Sequence, residues 1–237
     1  MSRESLASLR VAVTGGTSGL GLALVRRLRD AGAVVAFVAR GRDGVERVSR
    51  ALAAHGVVGD VSRKEDIHPI AIQLLGALGG IDVLVNNASS LGPVPLAPLA
   101  DTECEDFERA LATNVLGPFR LTKTLLGALA ASARQGGLAL VVNISSDAAI
   151  TPYAGWGAYG ASKAALNHLS RIWDEELAPE GIHIVCVDPG DMDTPLHALA
   201  VPEADRATLK NPDTAAAEIV ELIATRAARA EELAGTR

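Results

Sequence analysis

Leu9-Arg10-Val11-Ala12-Val13-Thr14-Gly15-Gly16-Thr17-Ser18-Gly19-Leu20-Gly21 is the stretch that decides the fold. Residues 9–14 form an apolar run of strand length, which passes through a glycine-rich turn into a helical pattern over residues 19–31. Glycines at such a turn let the chain reverse tightly and let its backbone approach another group closely. The helix that opens there offers free N–H groups and a partial positive charge, a natural seat for a pyrophosphate.

The same alternation repeats outward from this unit. Strands are predicted at residues 9–14, 34–39, 57–60, 81–86, 138–144 and 182–188. Each is rich in Val, Ile and Leu on both alternating positions, as in strands covered on both faces. Helices are predicted at residues 19–31, 44–55, 64–78, 101–133 and 157–177. Strand following helix throughout implies right-handed crossovers and an α/β fold, a doubly wound parallel sheet (Rossmann fold) in a single domain over residues 1–237. Loops rich in Pro and Gly, at 91–98 and 151–157, mark strand ends, and ligands of an open parallel sheet sit at the carboxyl ends of its strands.

Composition narrows the function classes. With 49% hydrophobic residues the chain can bury a large core, which excludes global disorder. The formal charge of −6 gives no support to nucleic-acid or anionic-membrane partners. Residues 1–10 carry Arg3, Glu4 and Arg10 around no apolar signal core, and no stretch of about 18 residues is apolar enough to span a membrane. Cys104 and Cys186 are too few for a disulfide framework, and Cys186 sits in an apolar run that predicts a buried, inert thiol. No His/Cys/Asp cluster has metal-ligand spacing, so no metal is expected. These features predict a cytoplasmic protein that binds neither nucleic acid nor membrane.

The strand-end loops hold the residues with chemistry. The second strand runs out through Ala39-Arg40-Gly41-Arg42, where an acidic residue would bind a ribose hydroxyl and an arginine suits a 2′-phosphate. Asp60, followed by Val61, can accept from an adenine or cap the next helix. Tyr159 and Lys163 are four apart at the start of a helix, so their side chains share a face. A neighbouring ammonium favours phenolate and brings a tyrosine toward the working range of an acid/base. Thirteen residues before Tyr159, Asn143-Ile144-Ser145-Ser146 closes the fifth strand and puts a hydroxyl at the same sheet edge. Asn86-Asn87-Ala88-Ser89 ends the fourth strand, and Asn114 lies inside the long helix of residues 101–133.

In this order, Thr14 to Gly21, Asp60, Asn86-Asn87-Ala88, Asn114, Ser146, Tyr159-x-x-x-Lys163 and Pro189-Gly190 with Thr194, the chain resembles the short-chain dehydrogenase/reductase family over nearly its whole length. The resemblance implies an oxidoreductase that moves a hydride between nicotinamide and a carbonyl or secondary alcohol. It implies Tyr159 as general acid/base, Ser146 on the substrate oxygen, and Lys163 both tuning the tyrosine and binding the nicotinamide ribose. Asn114 is implied to hold a water linking Lys163 to solvent. Cofactor contacts are implied at Gly15, Thr17, Ser18, Gly19, Leu20, Gly21, Arg40, Asp60, Val61, Asn87, Ala88, Tyr159, Lys163, Pro189, Gly190 and Thr194, with NADP(H) preferred over NAD(H) because Ala39 puts no carboxylate at the strand tip and Arg40 follows it. The family usually has glycine where this chain has Ser89, and a seventh strand where this chain shows residues 231–235, so six strands or seven are expected. Thr151-Pro152-Tyr153-Ala154-Gly155-Trp156-Gly157 before Ala158 and Tyr159 is similar to the subgroup of sepiapterin and benzil reductases.

On the substrate side a short loop, residues 191–211, is expected to carry specificity, with a partly apolar face at Leu196, His197, Leu199 and Val201. Asp147 and Asp191 fall where pocket walls are expected; they suit a hydroxyl-bearing or cationic substrate, or are plain solvated or capping aspartates. A non-catalytic NADP-binding sensor or scaffold on the same fold is the alternative, against which the set Asn114, Ser146, Tyr159 and Lys163 speaks. Leu125, Leu129, Leu166 and Leu169 are read as outer faces of two helices that pair across a two-fold axis, predicting a homodimer or homotetramer.

Overall fold

A computed structural model describes residues 6–235 of the 237, so the amino-terminal Arg3 and Glu4 lie outside the described residues. Six strands, β1 (Arg10–Thr14), β2 (Val34–Ala39), β3 (His55–Val58), β4 (Val83–Asn86), β5 (Leu140–Ile144) and β6 (His183–Val187), form one parallel sheet in the order β3-β2-β1-β4-β5-β6. The order turns back between β1 and β4, and at that point an open α/β sheet leaves a crevice at its carboxyl edge.

Among the described residues there are eight α-helices, α1 (Gly19–Asp30), α2 (Arg42–Leu52), α3 (Lys64–Leu78), α4 (Cys104–Leu111), α5 (Gly117–Arg134), α6 (Gly157–Leu177), α7 (Pro195–Ala200) and α8 (Pro212–Gly235); α1, α2 and α8 cover one face of the sheet and α3, α5 and α6 the other. Alternate strand residues bury on opposite sides. Val11 and Val13 join Leu24, Leu28, Ile219 and Ile223 in one core, while Ala12 joins Ile70, Leu74, Leu121 and Leu125 in the other. Burial on both sides of β1, β2, β4 and β5 explains why these strands read as continuous apolar runs rather than alternating ones.

Several boundaries differ from the sequence expectation, each for a visible reason. β3 begins at His55 and ends at Val58 because its ladder with β2 runs from Ala36↔His55 to Ala39↔Val58, so Asp60 is loop. α2 stops at Leu52 because Ala53 takes a left-handed conformation, φ 48°, which frees His55 to start the strand. The predicted helix over residues 101–133 resolves into a short 3-10 turn, α4, one widened π turn at Ala112–Leu116, and α5. Within the predicted substrate loop, α7 and a bridge between Met192 and Lys210 give the segment its own framework.

α8 was not foreseen. It opens with Asn211, whose Oδ1 accepts from the Asp213 N–H, and it buries Ala215, Ala216, Ile219, Val220 and Ile223. Arg27 of α1 pairs with Asp213 across the contact. Among the described residues there are six strands, and the chain runs on as α8 where a seventh was an option. The outer-face expectation is also corrected. Leu125, Leu129 and Leu166 are buried against the domain's own sheet and Leu169 is half-buried, because the apolar stripe of each helix serves its own core. No helix among the described residues is long and apolar enough to cross a membrane.

Candidate active site

A cleft of about 1070 Å³ runs along the carboxyl ends of the strands, from the β1–α1 turn past Tyr159 to α7. At the β1–α1 end it is built from bare backbone. Gly15 and Gly19 have φ of 74° and 50°, and a β-carbon on Gly21 would stand 2.2 Å from the Gly15 carbonyl oxygen. Ser18 caps α1 in an extended conformation with no side-chain hydrogen bond, and the first turn holds no acidic residue. The N–H groups of that turn therefore remain available to an anion. Thr17, Leu20, Val61 and Pro189 also line the cleft. Gly190 (φ 76°) and Thr194 bring the other wall close: Thr194 Cγ2 lies 3.2 Å from where a Gly19 β-carbon would be. Thr194 also caps α7, its hydroxyl accepting from the His197 N–H. Such a cradle fits a dinucleotide pyrophosphate.

At the tip of β2, Ala39 is buried and Arg40 exposed. Neither Arg40 nor Arg42 has an ion-pair or hydrogen-bond partner for its guanidinium among the described residues. Asp60 does not cap α3, whose N-cap is Arg63; its Oδ1 accepts from the Ser62 N–H and hydroxyl in the turn after β3, and the residue lines the cleft. Asn87 works from behind. Its Nδ2 donates to the Thr14 carbonyl at 2.8 Å, and the Asn87 and Ala88 N–H groups donate to Thr14 Oγ1 at 3.0 Å each. Asn86 likewise ties to Asn143, which ties to Ser170. These asparagines hold β4 against its neighbours at the crevice.

At the other end lie the side chains of the expected catalytic set. Tyr159 and Lys163 share the first turns of α6 and are 8% and 2% exposed. Lys163 Nζ donates to the Ile144 carbonyl at 2.7 Å and sits 5.5 Å from the centre of the Tyr159 ring. Burial pushes the Tyr159 hydroxyl up to about 12; hydrogen bonds with Ser146 and Ser89 pull it down, and the charges of Asp188 and Asp147 push it up again. Burial pushes Lys163 down to about 8. The expected lowering of Tyr159 by Lys163 is thus not what this structure displays. Neither buried group has a counter-ion among the described residues, so desolvation moves both toward neutrality.

Asn114 is 1% exposed and sits in the π turn, where the Gly117 N–H donates to the Ala112 carbonyl. Its Oδ1 accepts from the Ser90 N–H (2.9 Å) and the Ser89 hydroxyl (3.2 Å), and its Nδ2 donates to the Ser90 carbonyl and to Ser162 Oγ, both at 2.8 Å. The Asn114 side chain thereby clamps the chain after β4 to α6. Ser162, in turn, donates to the Tyr159 carbonyl. Nothing in sequence spacing marked Ser162 or Ser90, since they act as partners of Asn114 and are neighbours only in space. Ser89, by contrast, was visible as a departure from glycine.

Ser146 donates to Asp147 Oδ1 at 3.0 Å, and Tyr153 donates to Asp147 Oδ2 at 2.6 Å. The Tyr153 hydroxyl beside Asp147 holds its carboxyl below the usual range, with Ser146 adding to the effect. Asp191 is exposed, 4.0 Å from His197 Nε2. Trp156 meets the Tyr159 ring edge-on at 5.7 Å. Cys186 is half-buried rather than buried, and Cys104 is exposed.

Comparison with known proteins agrees with this geometry. The family model described as short chain dehydrogenase matches residues 10–204. The rabbit (Oryctolagus cuniculus) dehydrogenase/reductase SDR family member 4 is 35% identical over 193 residues, covering 79% of this chain and 72% of the relative. The crystal structure of a 3-ketoacyl-(acyl-carrier-protein) reductase from Brucella melitensis complexed with NADH is 29% identical, with a TM-score of 0.84 over 92% of this chain and 91% of that one. A short chain dehydrogenase from Burkholderia cenocepacia in complex with NADP is 26% identical, with a TM-score of 0.79 over 91% and 90%. The chain belongs to the short-chain dehydrogenase/reductase family and is an NAD(P)-dependent oxidoreductase of that family.

Proposed function

We propose that this family member is an NADP(H)-dependent reductase of a small-molecule ketone or aldehyde, or dehydrogenase of the matching secondary alcohol, with Tyr159 as general acid/base. When bound, the nicotinamide supplies or takes up the hydride. The chain's own part is to hold, orient and protonate. Gly15, Thr17, Ser18, Gly19, Leu20 and Gly21 would seat the pyrophosphate, Arg40 the 2′-phosphate, and Asp60 and Val61 the adenine. Asn87, Ala88, Pro189, Gly190 and Thr194 would line the nicotinamide half, with Lys163 on the ribose. Ser146 would hold the substrate oxygen for Tyr159. Because burial keeps the Tyr159 hydroxyl protonated across the neutral range, it stands in the form that gives a proton to a carbonyl oxygen, which supports the reductive direction.

The observation that carries the proposal is the pairing of a buried Lys163, held by the Ile144 carbonyl and facing no carboxylate among the described residues, with a buried Tyr159 on the same helix, both lining the cleft with Ser146. A non-catalytic sensor has no use for that arrangement. The test is NADPH oxidation screened across a library of carbonyl compounds, with Tyr159→Phe as control. Oxidation by the wild type well above the variant supports the proposal; no difference on any compound leaves a sensor. A cytoplasmic setting is supported by composition. A homodimer or homotetramer through α4, α5 and α6 is supported by Leu116 and Ile172, both at least 40% exposed on those helices and their π turn. Light scattering that finds a monomer at micromolar concentration sinks the assembly.

A further inference from the structure

Ser146, the residue proposed to hold the substrate oxygen, is followed by Asp147, and the two side chains are bonded to each other. Ser146 Oγ donates to Asp147 Oδ1 at 3.0 Å and accepts from the Ala148 N–H at 3.2 Å. On its other oxygen Asp147 accepts from the Tyr153 hydroxyl at 2.6 Å. Ser146, Asp147 and Tyr153 all line the cleft, and the Tyr153 bond fixes the carboxylate even though it is exposed.

The proton inventory of this group decides what can bind beside it. A serine hydroxyl has one proton to give, and here Asp147 takes it. A carbonyl oxygen only accepts, so Ser146 reaches it as a donor by leaving Asp147. In an open cleft, water replaces the lost donor at Oδ1. Once a substrate fills this part of the cleft and excludes that water, the carboxylate oxygen is left unpaired, which costs more than an unpaired neutral acceptor. A substrate with a hydroxyl beside its carbonyl removes that cost. Its hydroxyl donates to Oδ1 while its carbonyl oxygen accepts from Ser146. The two oxygens of a vicinal hydroxycarbonyl lie about as far apart as Ser146 Oγ and Asp147 Oδ1, so each pair of groups matches the other.

We propose that Asp147 is a specificity-determining residue that selects carbonyl compounds bearing a hydroxyl on the adjacent carbon, and, in the oxidative direction, the matching vicinal diols. The exchange is one of donors: the substrate hydroxyl takes the place of Ser146 at Asp147 and releases the Ser146 proton toward the carbonyl oxygen. Asp147 remains a carboxylate throughout. In the reduction the carbonyl carbon takes a hydride from the reduced nicotinamide and the carbonyl oxygen takes the Tyr159 proton, leaving a vicinal diol and oxidised nicotinamide. The selection rests on the proposed roles of Ser146 and Tyr159, and its test separates binding from turnover.

The first arm measures binding in a background without the proton transfer. Tyr159→Phe loaded with NADP⁺ should bind 2-hydroxyacetophenone at least about fivefold more tightly than propiophenone, which has a methyl in place of the hydroxyl. Adding Asp147→Ala should abolish the difference. Equal binding of the two ketones in Tyr159→Phe, or a preference that survives Asp147→Ala, overturns the proposal whether or not either ketone is turned over. The second arm is kcat/KM with NADPH. A hydroxyl also activates the neighbouring carbonyl, so the quantity read is the preference of the wild type divided by that of Asp147→Ala. It should be at least about tenfold, with the propiophenone value rising in the variant as Ser146 is released. Asp147→Asn, which keeps the shape and an acceptor oxygen without the charge, should fall between them. Equal losses on both ketones would make Asp147 a structural residue and overturn the proposal. A binding preference without turnover of either ketone supports the selection and counts against the reading of the site as a reductase.

Discussion

Two buried polar clusters sit at opposite edges of the same sheet. At the amino edge, Asp82 accepts from Arg10 through its backbone N–H (2.7 Å), Nε (2.9 Å) and Nη2 (2.5 Å), and from the Ser132 hydroxyl (2.6 Å). These bonds outweigh burial and hold its carboxyl below the usual range. At the carboxyl edge, Lys163 and Tyr159 are buried too, yet neither has a counter-ion among the described residues and both are driven toward their neutral forms. The first cluster is complete and so holds strands together; the second is left incomplete, so its protons can move. The difference between charge that is paired and charge that is poised separates structure from chemistry more sharply than burial does.

The comparison breaks most visibly at Tyr159. Tyr159→Phe removes the proton and leaves the ring, so turnover should fall by about 10²–10⁴ while NADPH affinity stays nearly unchanged. Tyr153→Phe should cost far less, since Tyr153 is exposed and donates only to Asp147. Equal losses at the two tyrosines, measured by steady-state kinetics, would place the acid/base elsewhere. The amino-edge cluster should respond oppositely. Asp82→Asn leaves Arg10 without its carboxylate and should cost about 3 kcal/mol of stability in urea unfolding, with kcat per folded molecule intact. Because the folded pKa of Asp82 is depressed, its contribution is present above the unfolded value near 3.8 and fades as pH falls below it.

These two clusters also show what a sequence can and cannot disclose. The turn from Thr14 to Gly21 and the pair Tyr159 and Lys163 were legible because local spacing alone carries their physics: a tight turn before a helix, and two side chains on one helical face. The sheet was legible because strands buried on both faces announce themselves. The partners of Asn114 were not legible, because Ser90 and Ser162 arrive from distant segments. The leucines of α5 and α6 were misread because an apolar stripe does not say which side of the helix meets the sheet. α8 had a readable start in Asn211-Pro212-Asp213, a cap followed by proline at the first helical position, yet its Ala-rich sequence carries only a weak stripe.

Lys163 sharpens the comparison from the stability side. Its folded pKa of about 8 lies below the unfolded 10.5, so between those values the unfolded chain binds more protons and stability should rise with pH. Above about pH 10 Tyr159, raised to about 12, works the other way, because the unfolded chain loses that proton first. Lys163→Met should therefore flatten the rise between pH 8 and 10 and stabilise the chain at neutral pH by roughly 1–3 kcal/mol, while abolishing turnover. Denaturant titrations at several pH values check this, and parallel curves for the two proteins would mean that Lys163 is not poised as described.

The smallest expected effect lies where charge is neither buried nor paired, at Arg40. Ala39 presents no carboxylate to a ribose 2′-hydroxyl and none to repel a 2′-phosphate. The Arg40 guanidinium is exposed and has no partner among the described residues, so it is free to donate as a fork to a phosphate. A hydrogen bond to a charged group is worth roughly 1.5–3 kcal/mol, and exposure to solvent and salt holds the gain to the lower end. Ser18 adds no second positive charge at the start of α1, which keeps the preference moderate. NADPH should be used over NADH by at least about tenfold in kcat/KM, and Arg40→Ala should erase most of that gap by weakening NADPH and leaving NADH unchanged. Raising ionic strength should narrow the wild-type preference in parallel, since an exposed contact is screened while the buried Tyr159 chemistry is not. Equal efficiency with both cofactors in the wild type would reduce Arg40 to a solvated surface residue.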